Sequence, residues 1–162
     1  MTTIAYKDSI LAADSQLTVA KNIKLDSDPK IMILPNGVVF APAGSSHKIM
    51  VAAKFFSKPD WKESLDESPS FKSGFEAILV SEGGIYYCYN NCIPVPMCHR
   101  FYAIGSGWQI ANAAMHSGMS AEEAVIFTSE LDIFTNNKVQ VVNVQNILQK
   151  KNTKRAGRTS KK

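Results

Sequence analysis

The sequence predicts an α+β fold of antiparallel strands with segregated helices. Three observations lead there. Short apolar runs come in pairs around turn signals, through the first forty residues and again near Gly83. The apolar period changes from strand-like to helical after Gly44 and again after Ser106. A last alternating run, KVQVVNV, returns to strand. Strands and helices kept in separate segments indicate helix layers packed on sheets.

The elements follow in order. TTIAY and ILAAD flank the short turn Lys7-Asp8-Ser9. IMIL and VVFA flank Pro35-Asn36-Gly37, and Asn-Gly is a strong hairpin signal because both residues tolerate positive φ. Between these hairpins, DSQLTVAKNIKLDSDPK is polar and predicts irregular or short strand pairs. In SSHKIMVAAKFFSK, Ile49, Ala52, Ala53 and Phe56 recur at helical spacing, so Ser45 and Ser46 read as caps and Pro59 as a terminator.

DWKESLDESPSFKSG allows at most a short helix before Pro69. FEAILVS and IYYCYN flank Glu82-Gly83-Gly84 as a further hairpin. NNCIPVPM reads as a loop, because Pro94 and Pro96 cannot donate to a central ladder. RFYAIG is a strand and SGWQIANAAMHSG a helix ending at Gly118. SAEEAVIFTSEL opens with a capping box, Ser120 with Glu123 three residues on.

The chain has 162 residues, 45% apolar and 20% charged, which suits one domain with a real core. No apolar run reaches the roughly 18–20 residues of a membrane span. Lys7 and Asp8 interrupt the first apolar stretch, so no signal peptide is read and the expected compartment is the cytoplasm. An odd cysteine count, Cys88, Cys92 and Cys98, argues against a disulfide framework there. Their spacing, followed by His99, lacks the tight knuckles of a structural zinc site, and no metal or cofactor is expected. His47, His99 and His116 read as surface or helix residues.

The net charge of +4 is carried by the end of the chain. The last thirteen residues, KKNTKRAGRTSKK, hold seven of the eighteen basic side chains and no acid. The rest has eleven basic against fourteen acidic residues, a charge of −3. The expected organisation is a folded domain over 2–148 and a basic, disordered tail over 149–162. Such a tail can attract phosphate weakly, but no aromatic or base-reading residues accompany it, so nucleic acid is an unlikely main partner.

Thr2 sits directly behind the initiator methionine, where a strand begins at once. If Met1 is removed, Thr2 carries both a hydroxyl and a free α-amine with a pKa near 8. Nucleophile and base then share one residue, and a strand-anchored terminus keeps them oriented.

TTIAYKDSILAADSQLT, DPKI, APAGSS, AIGSGW and SAEEAV…ELDIFTNNKVQVV, in that order, resemble the proteasome β-subunit family and its HslV-type peptidases. These are N-terminal nucleophile hydrolases with a four-layer α-β-β-α sandwich of antiparallel sheets. The resemblance spans about residues 2–144. It implies that Thr2 is the nucleophile, that Lys30 in DPKI lowers the proton affinity of its hydroxyl and amine, and that Asp14 in LAAD pairs with Lys30. It also implies that the Gly44 N–H helps hold the oxyanion and that Ser106 lies near the threonine amine. Asp132 and Thr135 match the aspartate and serine before the last strand. Asn136 and Asn137 stand where the family usually has glycines, and asparagine tolerates the left-handed conformation better than most residues.

The family usually carries a second long helix that helps subunits stack into rings. Pro59 to Gly74 is too short and proline-marked for one. The function this implies is a threonine-type peptidase acting on a peptide or unfolded protein, as a homo-oligomer and with a possible ATPase partner. A small-substrate amidase and a catalytically silent assembly subunit are the alternatives, and the intact Thr2, Asp14 and Lys30 set speaks against the silent one.

Overall fold

A computed structural model describes residues 2–19, 23–25 and 29–149. Strands β1 (Thr3–Lys7), β2 (Ile10–Asp14), β10 (Phe101–Gly105) and β11 (Val139–Asn143) form one antiparallel sheet, in the order β10-β1-β2-β11. The second sheet runs β5-β6-β7-β8-β9, from β5 (Met32–Ile33), β6 (Val39–Gly44), β7 (Phe75–Ser81), β8 (Gly84–Cys88) and β9 (Val95–Pro96). A small hairpin of β3 (Leu17–Val19) and β4 (Ile23–Leu25) stands apart. Helix α1 (Ser46–Phe56) covers the second sheet, while α2 (Trp108–His116) and α3 (Ala121–Ser129) cover the first.

The two-residue period of a strand explains these layers. In β1 and β2, Ile4, Tyr6, Leu11 and Ala13 enter the core between the sheets, while Ala5 and Ala12 face the helices. In β6 and β7, Val39, Ala41, Ile78 and Val80 enter that same core, and Phe40, Ala77 and Leu79 meet α1. Strands buried on both faces read as continuous apolar runs. On the helix side of the first sheet the residues are small: Ala5, Ala12, Ala103, Ala111, Ala114 and Ala124. Short side chains let helix and sheet backbones approach closely. On the other side, Phe40, Phe55, Phe56, Trp61 and Tyr86 pack as tilted and edge-on rings 5.2–6.3 Å apart. The architecture is thus the expected four-layer α-β-β-α sandwich.

Local signals act as their chemistry requires. The Asp8-Ser9 turn has positive φ at both residues, the geometry of a tight two-residue hairpin. Gly37 has φ +83, and Asn36 before it donates to the Phe56 and Lys58 carbonyls, tying the turn to the end of α1. Ser120 and Glu123 form both bonds of the capping box. Ser45 stands at the N-cap of α1 but its side chain makes no capping bond. Between α1 and β7 the only helical element is the 3-10 turn Leu65–Glu67, consistent with the missing long helix.

Two readings need correction. Val95–Pro96 is not simply loop: it pairs with Tyr86 and Tyr87 as the outer strand of its sheet. An edge strand tolerates proline because one side of its ladder is unpaired. Asn136 and Asn137 do not take the left-handed conformation. Instead the Asn136 carboxamide oxygen accepts from the Ser15 N–H at 3.0 Å, bracing the loop on the end of β2.

After β11 the chain turns helical over 145–149, with Ile147 and Leu148 packed on the inter-sheet core. The basic segment 150–162 lies outside the described residues. Among the described residues no helix is long and apolar enough to cross a membrane.

Candidate active site

Thr2 precedes β1 and is 6% exposed. Its carbonyl oxygen accepts from the Ser106 N–H at 2.7 Å. Gly105, at φ +92, lies against that carbonyl so closely that a Cβ would come within 1.7 Å of the oxygen. Only glycine meets both conditions. The end of β10 therefore holds the residue before β1 as a backbone clamp, extending the β1–β10 register in which Thr3 faces Gly105.

Asp14 ends β2, paired beside β1, and is fully buried. One carboxylate oxygen accepts from the Thr3 N–H at 2.8 Å, the other from the Gln16 N–H at 2.9 Å. Burial pushes its carboxyl above the ordinary 3.8, opposed by those amide bonds and by the nearby charge of Lys30. The Lys30 ammonium, itself 8% exposed, donates to the Gln16 carbonyl at 2.8 Å. Asp14 and Lys30 thus grip opposite ends of one peptide segment and come together beside Thr2. The Lys30 backbone is placed by Gln140 of β11, whose side-chain oxygen accepts from both Lys30 N and Ile31 N at 2.9 Å.

On the far side runs a chain of hydroxyls. Gly107 N–H donates to Thr3 Oγ1 at 3.1 Å, and Thr3 Oγ1 lies 2.7 Å from Thr135 Oγ1. Thr135 Oγ1 donates to Asp132 Oδ2 at 2.7 Å, and Ser106 Oγ donates to the same oxygen at 2.7 Å. Each hydroxyl has one proton, so Thr3 must donate to Thr135. The order is then Gly107, Thr3, Thr135 and the Asp132 carboxylate, with Ser106 as a second donor.

Gly44 ends β6 at φ +155, where a Cβ would stand 2.9 Å from the Gly74 carbonyl oxygen. It faces Thr2 across a cleft of two lobes. A smaller lobe of about 220 Å³ is lined by Thr2, Lys30, Gly44 and the apolar Met32, Ile49 and Met50. A larger lobe of about 730 Å³ also has Thr2 and Gly44 in its wall, with Ser106, Glu76 and Tyr89.

All seven sequence-derived residues therefore converge around the start of β1. Thr2, Lys30, Gly44 and Ser106 line the cleft; Asp14, Asp132 and Thr135 stand behind it. Four neighbours were not singled out from sequence. Thr3 is the pivot of both hydrogen-bond systems, yet a threonine in a strand carries no mark of such a role. Gly105 and Gly107 were legible only as glycines flanking Ser106 between strand and helix. Glu76, half-buried, accepts from the Gly105 N–H at 2.9 Å, and burial pushes its carboxyl above the ordinary range.

Cys88 and Cys92 are buried, Cys98 is exposed, and no three His, Cys, Asp or Glu side chains cluster among the described residues.

No protein-family model and no curated protein sequence matches the chain. Solved structures do. Eukaryotic HslV from Trypanosoma brucei superposes with a TM-score of 0.65 at 21% identity, over 87% of this chain and 97% of that one. The Thiobacillus denitrificans protein BPH gives 0.64 at 20% identity, over 87% and 95%, and BPH in complex with epoxomicin gives 0.64 at 20%, over 87% and 96%. The sandwich is an N-terminal nucleophile hydrolase fold. Within that class it has the fold of the HslV-type structures it superposes on. At these identities the likeness is one of fold.

Proposed function

We propose that the chain is a threonine-type peptidase whose nucleophile is Thr2, exposed by removal of Met1. The observation that carries this reading is the shared lining of the smaller lobe: Thr2, Lys30 and Gly44 meet on one small cavity. Thr3, the other hydroxyl at the start of the chain, is fully buried and committed to Gly107 and Thr135. Of these two neighbours, Thr2 is the one that lines the cleft.

The Thr2 α-amine takes the Oγ proton, directly or through one water, as Oγ attacks the peptide carbonyl carbon. The carbonyl electron pair moves to oxygen, and the Gly44 N–H stabilises the resulting oxyanion. The tetrahedral intermediate collapses with cleavage of the C–N bond, and the ammonium returns its proton to the leaving amine. Water then hydrolyses the Thr2 ester, giving a carboxylic acid and the free hydroxyl. The Lys30 cation keeps the proton affinity of Oγ and the amine low, and Asp14 keeps Lys30 in place. Ser106, Asp132 and Thr135 steady the amine side. The apolar wall of Met32, Ile49 and Met50 receives an apolar side chain on the acyl side.

The working form is a homo-oligomer in the cytoplasm, with peptides or unfolded protein as substrate and an ATPase as a possible feeder. Exposed Trp108, Leu131 and Ile133 at the outer helix layer support association, since such residues gain by leaving water. The deciding experiment is N-terminal sequencing followed by an epoxyketone probe, which needs both the hydroxyl and the free amine. Wild type should be labelled at Thr2 and Thr2→Ala should not; labelling retained by Thr2→Ala refutes the assignment.

A further inference from the structure

The larger lobe has a chemical character that Thr2 chemistry alone does not require. Glu76 is the one carboxylate in its lining. Its Oε1 accepts from Gly105 N–H, while no described residue donates to Oε2. Oε2 is not a sealed, unpaired atom either, because among the described residues no buried side-chain oxygen lacks a partner. It therefore opens to the cleft. No cation neighbours this carboxylate among the described residues; the Lys48 ammonium at the rim over Gly74 is spent on the Ser73 carbonyl.

A tyrosine ring shares the lobe with it. Tyr89 lines the same lobe and is 46% exposed. Its hydroxyl lies 2.6 Å from that of Tyr102, and both rings pack on Tyr87 at 5.5 Å. Burial, the Tyr89 hydroxyl and the charge of Glu76 together push the Tyr102 phenol up. A carboxylate with one open oxygen next to tyrosine rings is a good receptor for an ammonium or guanidinium group.

The lobe also has a direction. Ser106 lines the larger lobe and not the smaller one. If Ser106 attends the Thr2 amine, the amine delivers its proton to the leaving nitrogen on this side. The larger volume also suits product departure and water entry.

Resting on the peptidase reading, we propose that the larger lobe is the leaving-group subsite and that Glu76, with Tyr89 at its mouth, selects a lysine or arginine side chain immediately after the scissile bond. Glu76 is a specificity residue here, while its bond to Gly105 also steadies the clamp on Thr2.

The test uses quenched peptides with leucine before the scissile bond and either lysine or Nε-acetyl-lysine after it. Wild type should favour lysine by about tenfold or more in kcat/KM, the size of a charged hydrogen bond. Glu76→Gln keeps an acceptor for Gly105 and should bring the ratio near one; Glu76→Asp should keep the preference in the same direction. The ratio within each variant cancels the amount of folded enzyme. A wild-type ratio near one, or an unchanged ratio in Glu76→Gln, overturns the proposal, and the wild-type ratio alone decides if the Gln variant does not fold. Binding of both peptides to Thr2→Ala by fluorescence polarisation reads the same preference without turnover. A silent Thr2 and a cleft with no charge preference therefore give different results.

Discussion

Gly105 is pressed against Thr2 so closely that no other residue fits: a Cβ would lie 1.7 Å from the Thr2 carbonyl oxygen and 2.7 Å from its carbon. This contact is backbone to backbone, so no side chain can turn aside to relieve it. Gly105→Ala must displace Thr2, strain a residue at φ +92, or both. The expected loss of stability is about 1–3 kcal/mol, from the left-handed conformation alone. Labelling of Thr2 should fall by about 10²-fold, since an ångström of misplacement is costly for a reacting group. Urea unfolding and probe kinetics on one preparation check both. Wild-type labelling rates in Gly105→Ala would show that the clamp does not position the nucleophile.

Lys30 sits 8% exposed with its ammonium on the Gln16 carbonyl. Lys30→Met keeps most of the apolar stem but removes the cation and orphans that carbonyl. The expected stability cost is about 1–3 kcal/mol for the unsatisfied acceptor. The labelling rate should drop by roughly 10²-fold or more, the usual scale of a proton-transfer contribution. Normal rates in a folded Lys30→Met would remove the lysine from the mechanism.

Asp14 contributes a pH dependence of known sign. Its folded pKa is raised above the ordinary 3.8, chiefly by burial. The folded state then binds the proton more tightly than the unfolded one. Its favourable term is fully present below the ordinary pKa and is lost as pH rises through the folded pKa. Asp14→Asn removes that slope. The stability of Asp14→Asn relative to wild type should therefore increase from near pH 4 upward and then level off. Urea unfolding of both proteins from pH 3.5 to 8 measures the difference; a stability of Asp14→Asn that falls relative to wild type as pH rises has the wrong sign.

Thr3 and Thr135 share a bond of 2.7 Å inside a chain that ends on Asp132. Thr3→Val keeps the shape but leaves the Gly107 N–H without its acceptor. Each of Thr3→Val and Thr135→Val should cost about 1–3 kcal/mol. Their effects should not add, because the second change breaks a chain already broken: a coupling of about 0.5–3 kcal/mol is expected from a double-mutant cycle. Strict additivity would mean that the two hydroxyls act independently.

The fold was largely legible because its signals are local. Asn36-Gly37, the Ser120 and Glu123 capping box, and the change of apolar period after Gly44 each depend on residues within a few positions. The edge strand Val95–Pro96 was missed for a different reason. Proline forbids a central strand, but whether a segment is central or peripheral depends on what lies beyond it. Likewise Asn136 could be read as a left-handed loop residue, when its actual work is a bond to Ser15, remote in the chain.

From its own pattern of residues the chain declares a layered α+β fold, and its resemblance to the proteasome β-subunit family points to Thr2, Asp14, Lys30, Gly44, Ser106, Asp132 and Thr135 as a set. Strand period, turn chemistry and short motifs need no knowledge of distance. Tertiary structure alone decided how the set is held: the Gly105 clamp on Thr2, the Thr3 pivot between two hydrogen-bond systems, and Glu76 reaching across from the other sheet. These depend on strands far apart in sequence being brought side by side. Hydrogen bonding acts over about 3 Å in space, whatever the separation along the chain.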